Sequence, residues 1–190
     1  TSVAYFSNII KEENVRMNKH VETILETGQL ENKDLELNMQ PVNVHDLIQA
    51  VVDSYKLQLE EKPSNIHMQL DATKPEITAD EEHLLHVLSN LMDNAIKYSK
   101  ETIDILVSTT NVNNKIIITI EDNGIGMTNE TTKHIFEKFY RAHSGNIHNV
   151  KGFGLGMSYV KRIVALHKGQ IRVQSELDHG TTIEITLPVA

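Results

Sequence analysis

Apolar and polar positions divide the chain into an opening helix and a longer mixed segment. From Val3 to about Leu30, the residues Phe6, Ile10, Met17, Val21, Ile24 and Leu25 recur at steps of three, four and seven. That spacing puts them on one helical face. Lys11, Glu12, Glu13, Arg16, Lys19 and Glu22 take the opposite face, and Gly28 with the polar stretch 31–34 ends the helix. One helix cannot bury such a stripe alone, so it needs a partner helix or a second copy of the chain. Gln40-Pro41 marks a boundary. Beyond it the pattern predicts a short strand at Pro41–Val44, then a helix started by Asn43 or His45 and running to about Glu61. Ile66–Leu70 alternates as a strand does. Ala79-Asp80-Glu81-Glu82 opens a helix to about Ser99, its acids placed where they suit the helix dipole. Leu84, Leu85, Leu88, Leu91 and Ala95 supply its buried side. Ile103–Thr110 and Lys115–Glu121 are two strands joined by a turn at 111–114. Residues 127–151 are polar, with one short helix near Thr131–Phe136. Leu155 to about His167 is a helix ended by Lys168-Gly169, and Gln170–Ser175 and Thr181–Leu187 are the closing strands. This order is neither strict β-α-β alternation nor all-β. It predicts an α/β two-layer sandwich: a mixed sheet covered by helices on one face, preceded by a long amphipathic helix. The boundary separates residues 1–38 from residues 39–190.

Composition narrows the function classes. The 190 residues carry 18 basic and 26 acidic side chains, a net charge of −8. An acidic chain without a basic block argues against nucleic acid as the main partner. There is no cysteine, so disulfides and cysteine-based zinc sites are excluded and a reducing compartment fits. No apolar run approaches bilayer-spanning length. The chain starts at Thr1 inside a predicted helix, as expected of a piece of a longer parent.

Four segments carry candidate chemistry. Glu121-Asp122-Asn123-Gly124-Ile125-Gly126 follows the apolar run Ile116–Ile120. The strand holds Asp122 at a sheet edge, and Gly124 and Gly126 let the backbone turn away and a flat ligand approach. A carboxylate there suits the amino group of a purine; read alone, the segment is a strand ending in an Asx-Gly turn. Asn90, Asn94 and Lys97 fall at i, i+4 and i+7 on one helical face. Amide oxygens ligate a hard cation such as Mg²⁺ and a lysine neutralises phosphate, although a solvated polar face would look the same. Gly152, Gly154 and Gly156 alternate just before a helix, where backbone N–H groups and the helix dipole form an anion site, although a flexible hinge before a helix start would look the same. The spacing is that of neither the P-loop nor the dinucleotide fingerprint. Phe136, Phe139, Tyr140 and Arg141 offer an aromatic cluster in the polar stretch, with an arginine able to reach a terminal phosphate; read alone, the segment is a minor satellite core with a surface arginine.

In order these read Asn-x-x-x-Asn-Ala-x-Lys-Tyr, Asp-x-Gly-x-Gly, Phe-x-x-Phe-Tyr-Arg and Gly-x-Gly-x-Gly. The set resembles the N, G1, F and G2 boxes of sensor histidine kinases, within the ATPase superfamily of Hsp90, MutL and the type II topoisomerases. The resemblance covers about residues 41–188, and residues 1–38 resemble the second helix of that family's dimerisation and phosphoacceptor hairpin. It implies a Bergerat-type fold binding ATP and Mg²⁺ under a lid at about 127–151. It implies Asn94 as Mg²⁺ ligand, Asn90 near the phosphates, Lys97 and Arg141 as phosphate contacts, and Tyr98 beside the adenine. Asp122 would accept the adenine amino hydrogen, with Gly124 and Gly126 admitting the base. Gly152, Gly154, Leu155 and Gly156 would line the phosphates, Phe139 would act from the lid, and Thr182 would assist Asp122 through a water. The implied partners are a phosphoacceptor histidine helix, a response-regulator receiver domain and a second copy in the full-length protein. The implied place is the cytoplasmic portion of a parent that an inner membrane can anchor.

Hydrolysing members of that superfamily carry a glutamate four residues before the metal-binding asparagine; here the position is Asn90. An amide cannot act as general base, which favours phosphoryl transfer over hydrolysis. A degenerate, non-transferring kinase is the other alternative. None of the ten histidines has the family's acceptor surroundings. His45-Asp46-Leu47 begins that way but Ile48-Gln49-Ala50 does not continue it, so His45 is read as structural. His20 is read as a packing residue. His83 and His86 lie at i, i+3 with no third metal ligand evident.

Overall fold

The computed structural model describes residues 6–7, 14, 36–59, 63–141 and 154–189. The chain divides into two units, Thr1–Glu36 and Leu37–Ala190. In the first, residues 6, 7 and 14 are helical, and the rest of the predicted amphipathic stripe lies outside the described residues.

The second unit runs β1 (Gln40–Asn43), α1 (Val44–Gln58), β2 (Ser64–Leu70), β3 (Glu76–Ala79), α2 (Glu81–Lys97), β4 (Ile103–Val112), β5 (Lys115–Asp122), α3 (Asn129–His134), α4 (Gly156–Leu166), β6 (Gln170–Glu176) and β7 (Gly180–Pro188). Five strands form a mixed sheet in the order β2-β4-β5-β7-β6, with β2 parallel to β4 and the other neighbours antiparallel. Alternate residues of these strands point to one face. Ile105, Val107, Ile116, Ile118, Ile120, Ile183, Ile185 and Leu187 are buried there. Val51 and Val52 of α1, Leu84, Leu88, Leu91 and Met92 of α2, and Val160 and Ile163 of α4 are buried on the helical side. Glu121 alternates with the buried positions and is exposed, and on β6 the exposed Arg172 and Gln174 alternate with half-buried Ile171 and Val173. This is the expected two-layer α/β sandwich.

Local chemistry explains the element boundaries. Asn43 caps α1, its Oδ1 accepting from the His45 N–H at 2.9 Å. Asp80 caps α2, accepting from the His83 N–H at 3.0 Å. The β4–β5 turn is tighter than 111–114: β4 runs to Val112, and Asn113 and Asn114 alone turn the chain at φ 48° and 58°. Asparagine tolerates that left-handed region, which a two-residue hairpin of matching twist requires.

Three expectations need correction. Glu76–Ala79 is a strand that pairs antiparallel with β1 as a separate two-stranded sheet. Ala79 therefore ends a strand instead of opening the helix; four residues are too few for alternation to announce themselves. On α2, Leu85 is only half-buried, and Val87 and Met92 belong to the buried side. Within the polar stretch 127–151 the helix sits at Asn129–His134, earlier than expected, because Thr128 caps it by accepting from the Thr131 N–H at 3.2 Å. The remainder of that stretch beyond Arg141, with Gly152, lies outside the described residues.

Candidate nucleotide-binding site

The C-terminal half of α2 lies between two glycine-bearing segments. On one side is the start of α4. A Cβ on Gly156 would lie 2.7 Å from Asn90 Oδ1, so any larger residue here would push the Asn90 amide aside. Asn90 Nδ2 donates to the His86 carbonyl at 2.9 Å, which fixes the amide with its oxygen toward α4. Asn94 Nδ2 donates to Met157 Sδ at 3.1 Å, and the Oδ1 end of that amide is the one suited to a cation. Leu155 is buried beneath the turn, and the Gly154 carbonyl accepts from the Phe139 N–H at 3.0 Å.

On the other side is the turn after β5. The Ile125 N–H donates to the Tyr98 carbonyl at 3.0 Å, which ties this turn to the end of α2. Gly124 N–H donates to Asp122 Oδ1 at 2.8 Å. Gly126 sits at φ +63°, and a Cβ there would lie 1.9 Å from the Glu176 carbonyl oxygen. The turn is thus wedged against the β6–β7 hairpin, where the Asp178 N–H also donates to the Ile125 carbonyl at 2.7 Å.

Electrostatics mark the same residues. Burial pushes the Asp122 carboxyl up from the usual range; backbone hydrogen bonds from Gly124 and Thr181 oppose this and Glu121 adds to it. Burial also lowers Lys97 below the ordinary lysine value, helped by the Arg141 guanidinium and opposed by Asp93. Lys97 is exposed, so solvent screens this shift. That ammonium lies 5.1 Å from the Tyr98 ring centre, a cation–π contact. Burial raises the Tyr98 hydroxyl, with Arg141 acting against it. Arg141 thus stands electrostatically over the Lys97–Tyr98 end of α2.

The structure therefore brings together Asn90, Asn94, Lys97, Tyr98, Asp122, Gly124, Gly126, Arg141, Leu155 and Gly156. Gly154 joins them through the backbone of Phe139, whose own side chain is 70% exposed and whose φ is 61°. Thr182 does not join. The register pairs Thr182 with Glu121 and Thr181 with Asp122, and directly opposed residues share a sheet face. Thr181 is the threonine beside Asp122, and its hydroxyl meets Ser175 Oγ at 3.0 Å. A one-residue difference in register decides this, and one strand's sequence cannot show it.

His45 and His83 have structural partners, and His20 lies outside the described residues. His45 Nε2 meets Thr109 Oγ1 at 2.9 Å, and His83 Nδ1 meets the Tyr159 hydroxyl at 2.9 Å. Among the described residues no three His, Asp or Glu side chains are grouped to hold a metal, and no helix is long and apolar enough to cross a membrane. The donor set at α2 nonetheless fits Mg²⁺ brought with phosphate. That ion takes one protein oxygen readily when phosphates and waters complete its octahedron.

A half-buried carboxylate at a strand end, amides along one helix face and a glycine-opened helix start define a nucleotide-binding domain of the α/β sandwich class. Residues 79–190 match the family of histidine kinase-, DNA gyrase B- and HSP90-like ATPases, and the chain belongs to that family. It is 43% identical over 187 residues to the sensor protein RprX of Bacteroides fragilis, covering 97% of this chain but 36% of that one. The chain therefore spans well under half the length of this relative. Its fold is that of histidine kinase catalytic domains. It matches full-length ShkA, solved in complex with AMPPNP, at TM-score 0.86 and 25% identity, over 100% of this chain and 39% of that one. It matches the histidine kinase ThkA, solved with the response regulator TrrA, at TM-score 0.76 and 23% identity, over 96% of this chain and 50% of that one.

Proposed function

We propose that this chain binds Mg·ATP and presents its γ-phosphoryl group to a histidine on a separate helix, as the catalytic part of a sensor histidine kinase. The observation that carries the reading is the face of α2. Asn90 and Asn94 are turned toward the start of α4, and an amide, not a carboxylate, stands at residue 90. Asp122 holds the purine amino group by accepting its hydrogen, with Thr181 beside it. Asn94 supplies one oxygen to the metal, and Lys97 and Arg141 spread positive charge over the phosphates. Bound Mg²⁺ supplies the remaining neutralisation of the polyphosphate. Residue 90 has no basic site to take a proton from water, so the groove favours a protein nucleophile over hydrolysis. RprX is a sensor protein and ThkA was solved with a response regulator. These support a receiver-domain partner and a signalling role for the longer protein.

No histidine of the chain has acceptor surroundings. Incubation with γ-labelled ATP, alone and beside a longer chain carrying the acceptor helix and Asn94→Ala, tests the reading. The expected outcome is Mg·ATP binding by calorimetry, no label on this chain and label on the longer one. Label on this chain alone would refute it, and steady phosphate release would favour a hydrolase.

A further inference from the structure

The face of α2 that carries Asn90, Asn94 and Lys97 also carries Asp93, an acid where phosphates are to bind. Its surroundings give it a task. Tyr55 of α1 reaches across with its hydroxyl 2.6 Å from Asp93 Oδ1 and 3.1 Å from the Ser89 carbonyl. Both neighbours are acceptors, so the hydroxyl donates, and the shorter contact is to the carboxylate. Tyr55 is buried, at 8% exposure, and burial with Asp93 beside it holds the phenol far above its ordinary value, so it stays a donor. Asp93 and Lys97 stand at i and i+4 with the acid nearer the helix start, the favourable order for an ion pair. From these contacts we infer that Asp93, clamped by Tyr55, is a positioning residue that aims the Lys97 ammonium at the polyphosphate. This rests on the reading of Lys97 as a phosphate contact. The electrostatics agree: Asp93 favours the protonated ammonium, against burial and Arg141.

The clamp explains why an acid is tolerated here. A free carboxylate would repel phosphate. One held by a buried phenol on the α1 side and facing a lysine four residues on offsets that repulsion.

Variants of the full chain test this: Asp93→Asn, Tyr55→Phe, Lys97→Ala, and Asp93→Asn combined with Lys97→Ala. Mg·ATP and adenosine affinities are read by calorimetry, and the Lys97 ammonium by ¹³Cε NMR across pH. Asp93→Asn is expected to weaken Mg·ATP binding about two- to fivefold, the range of a partly exposed ion pair. It should leave adenosine affinity unchanged, move the Lys97 titration to lower pH, and add nothing once Lys97 is alanine. Tyr55→Phe should act in the same direction more weakly, and it carries the test alone if Asp93→Asn does not fold. Tighter Mg·ATP binding, an unmoved Lys97 titration, or an equal loss in the Lys97→Ala background overturns the positioning role while the phosphate contact stands. If Lys97→Ala itself leaves Mg·ATP affinity unchanged, the phosphate contact fails, and the positioning role with it.

Discussion

Replacing Asp122 by asparagine should separate binding from folding, because the two pull on this residue in opposite directions. The carboxylate is half-buried, and its Oδ1 accepts from the Gly124 N–H at 2.8 Å. Burial nevertheless outweighs its backbone hydrogen bonds and raises its pKa. For an acid raised in the folded state, the favourable contribution is fully present below the unfolded value of about 3.9. It is lost as pH rises through the folded value. At neutral pH the ionised group therefore costs the empty domain stability, and Asp122→Asn should melt at the same temperature or higher. The ligand reverses the balance. A hydrogen bond from an amino group to a buried carboxylate contributes about 1.5–3 kcal/mol, so ATP affinity should fall about 10- to 150-fold. Calorimetry at neutral pH, beside thermal melts of both proteins, reads the two effects separately. Wild-type affinity should also decline more steeply than the variant's as pH is lowered toward the raised carboxyl pKa. Unchanged ATP affinity in a folded variant would refute the assignment. A melting temperature lowered by several degrees would mean that Asp122 is structural.

Asn94→Ala should weaken Mg·ATP binding more than metal-free ADP binding, because it removes one oxygen from an octahedral ion; equal losses in the two titrations would make Asn94 a packing residue against Met157. Gly126→Ala should destabilise the fold by about 1–3 kcal/mol or more in denaturant titration, since φ +63° strains any Cβ and that Cβ would meet the Glu176 carbonyl at 1.9 Å. His167 is buried, its Nδ1–H donating to the Ile163 carbonyl at 2.8 Å and its Nε2 accepting from the Asp80 N–H at 2.9 Å. Burial lowers its pKa, so its contribution is present above the unfolded value of about 6.5 and lost as pH falls through the lower folded value. Melts of wild type should drop more steeply below that pH than melts of His167→Gln; parallel curves would exclude the histidine as the cause.

The sequence by itself determined the elements whose signals are local. The 3.6-residue spacing along α2 put Asn90, Asn94 and Lys97 on one face, and that face holds in the fold. The apolar run before Asp122 and the glycines after it announced a strand and a sharp turn, because backbone sterics act within a few residues. Tertiary structure alone decided what depends on distant segments meeting. The register of β5 with β7 set Thr181, not Thr182, beside Asp122. The pairing of β1 with β3 turned four residues into a strand. Packing of α1 on α2 brought Tyr55 to Asp93, 38 residues away in sequence. Periodicity says which face of an element is buried, but not which neighbour covers it. Hydrogen bonds between elements, and the burial that shifts Asp122 and Lys97, exist only once the layers have packed.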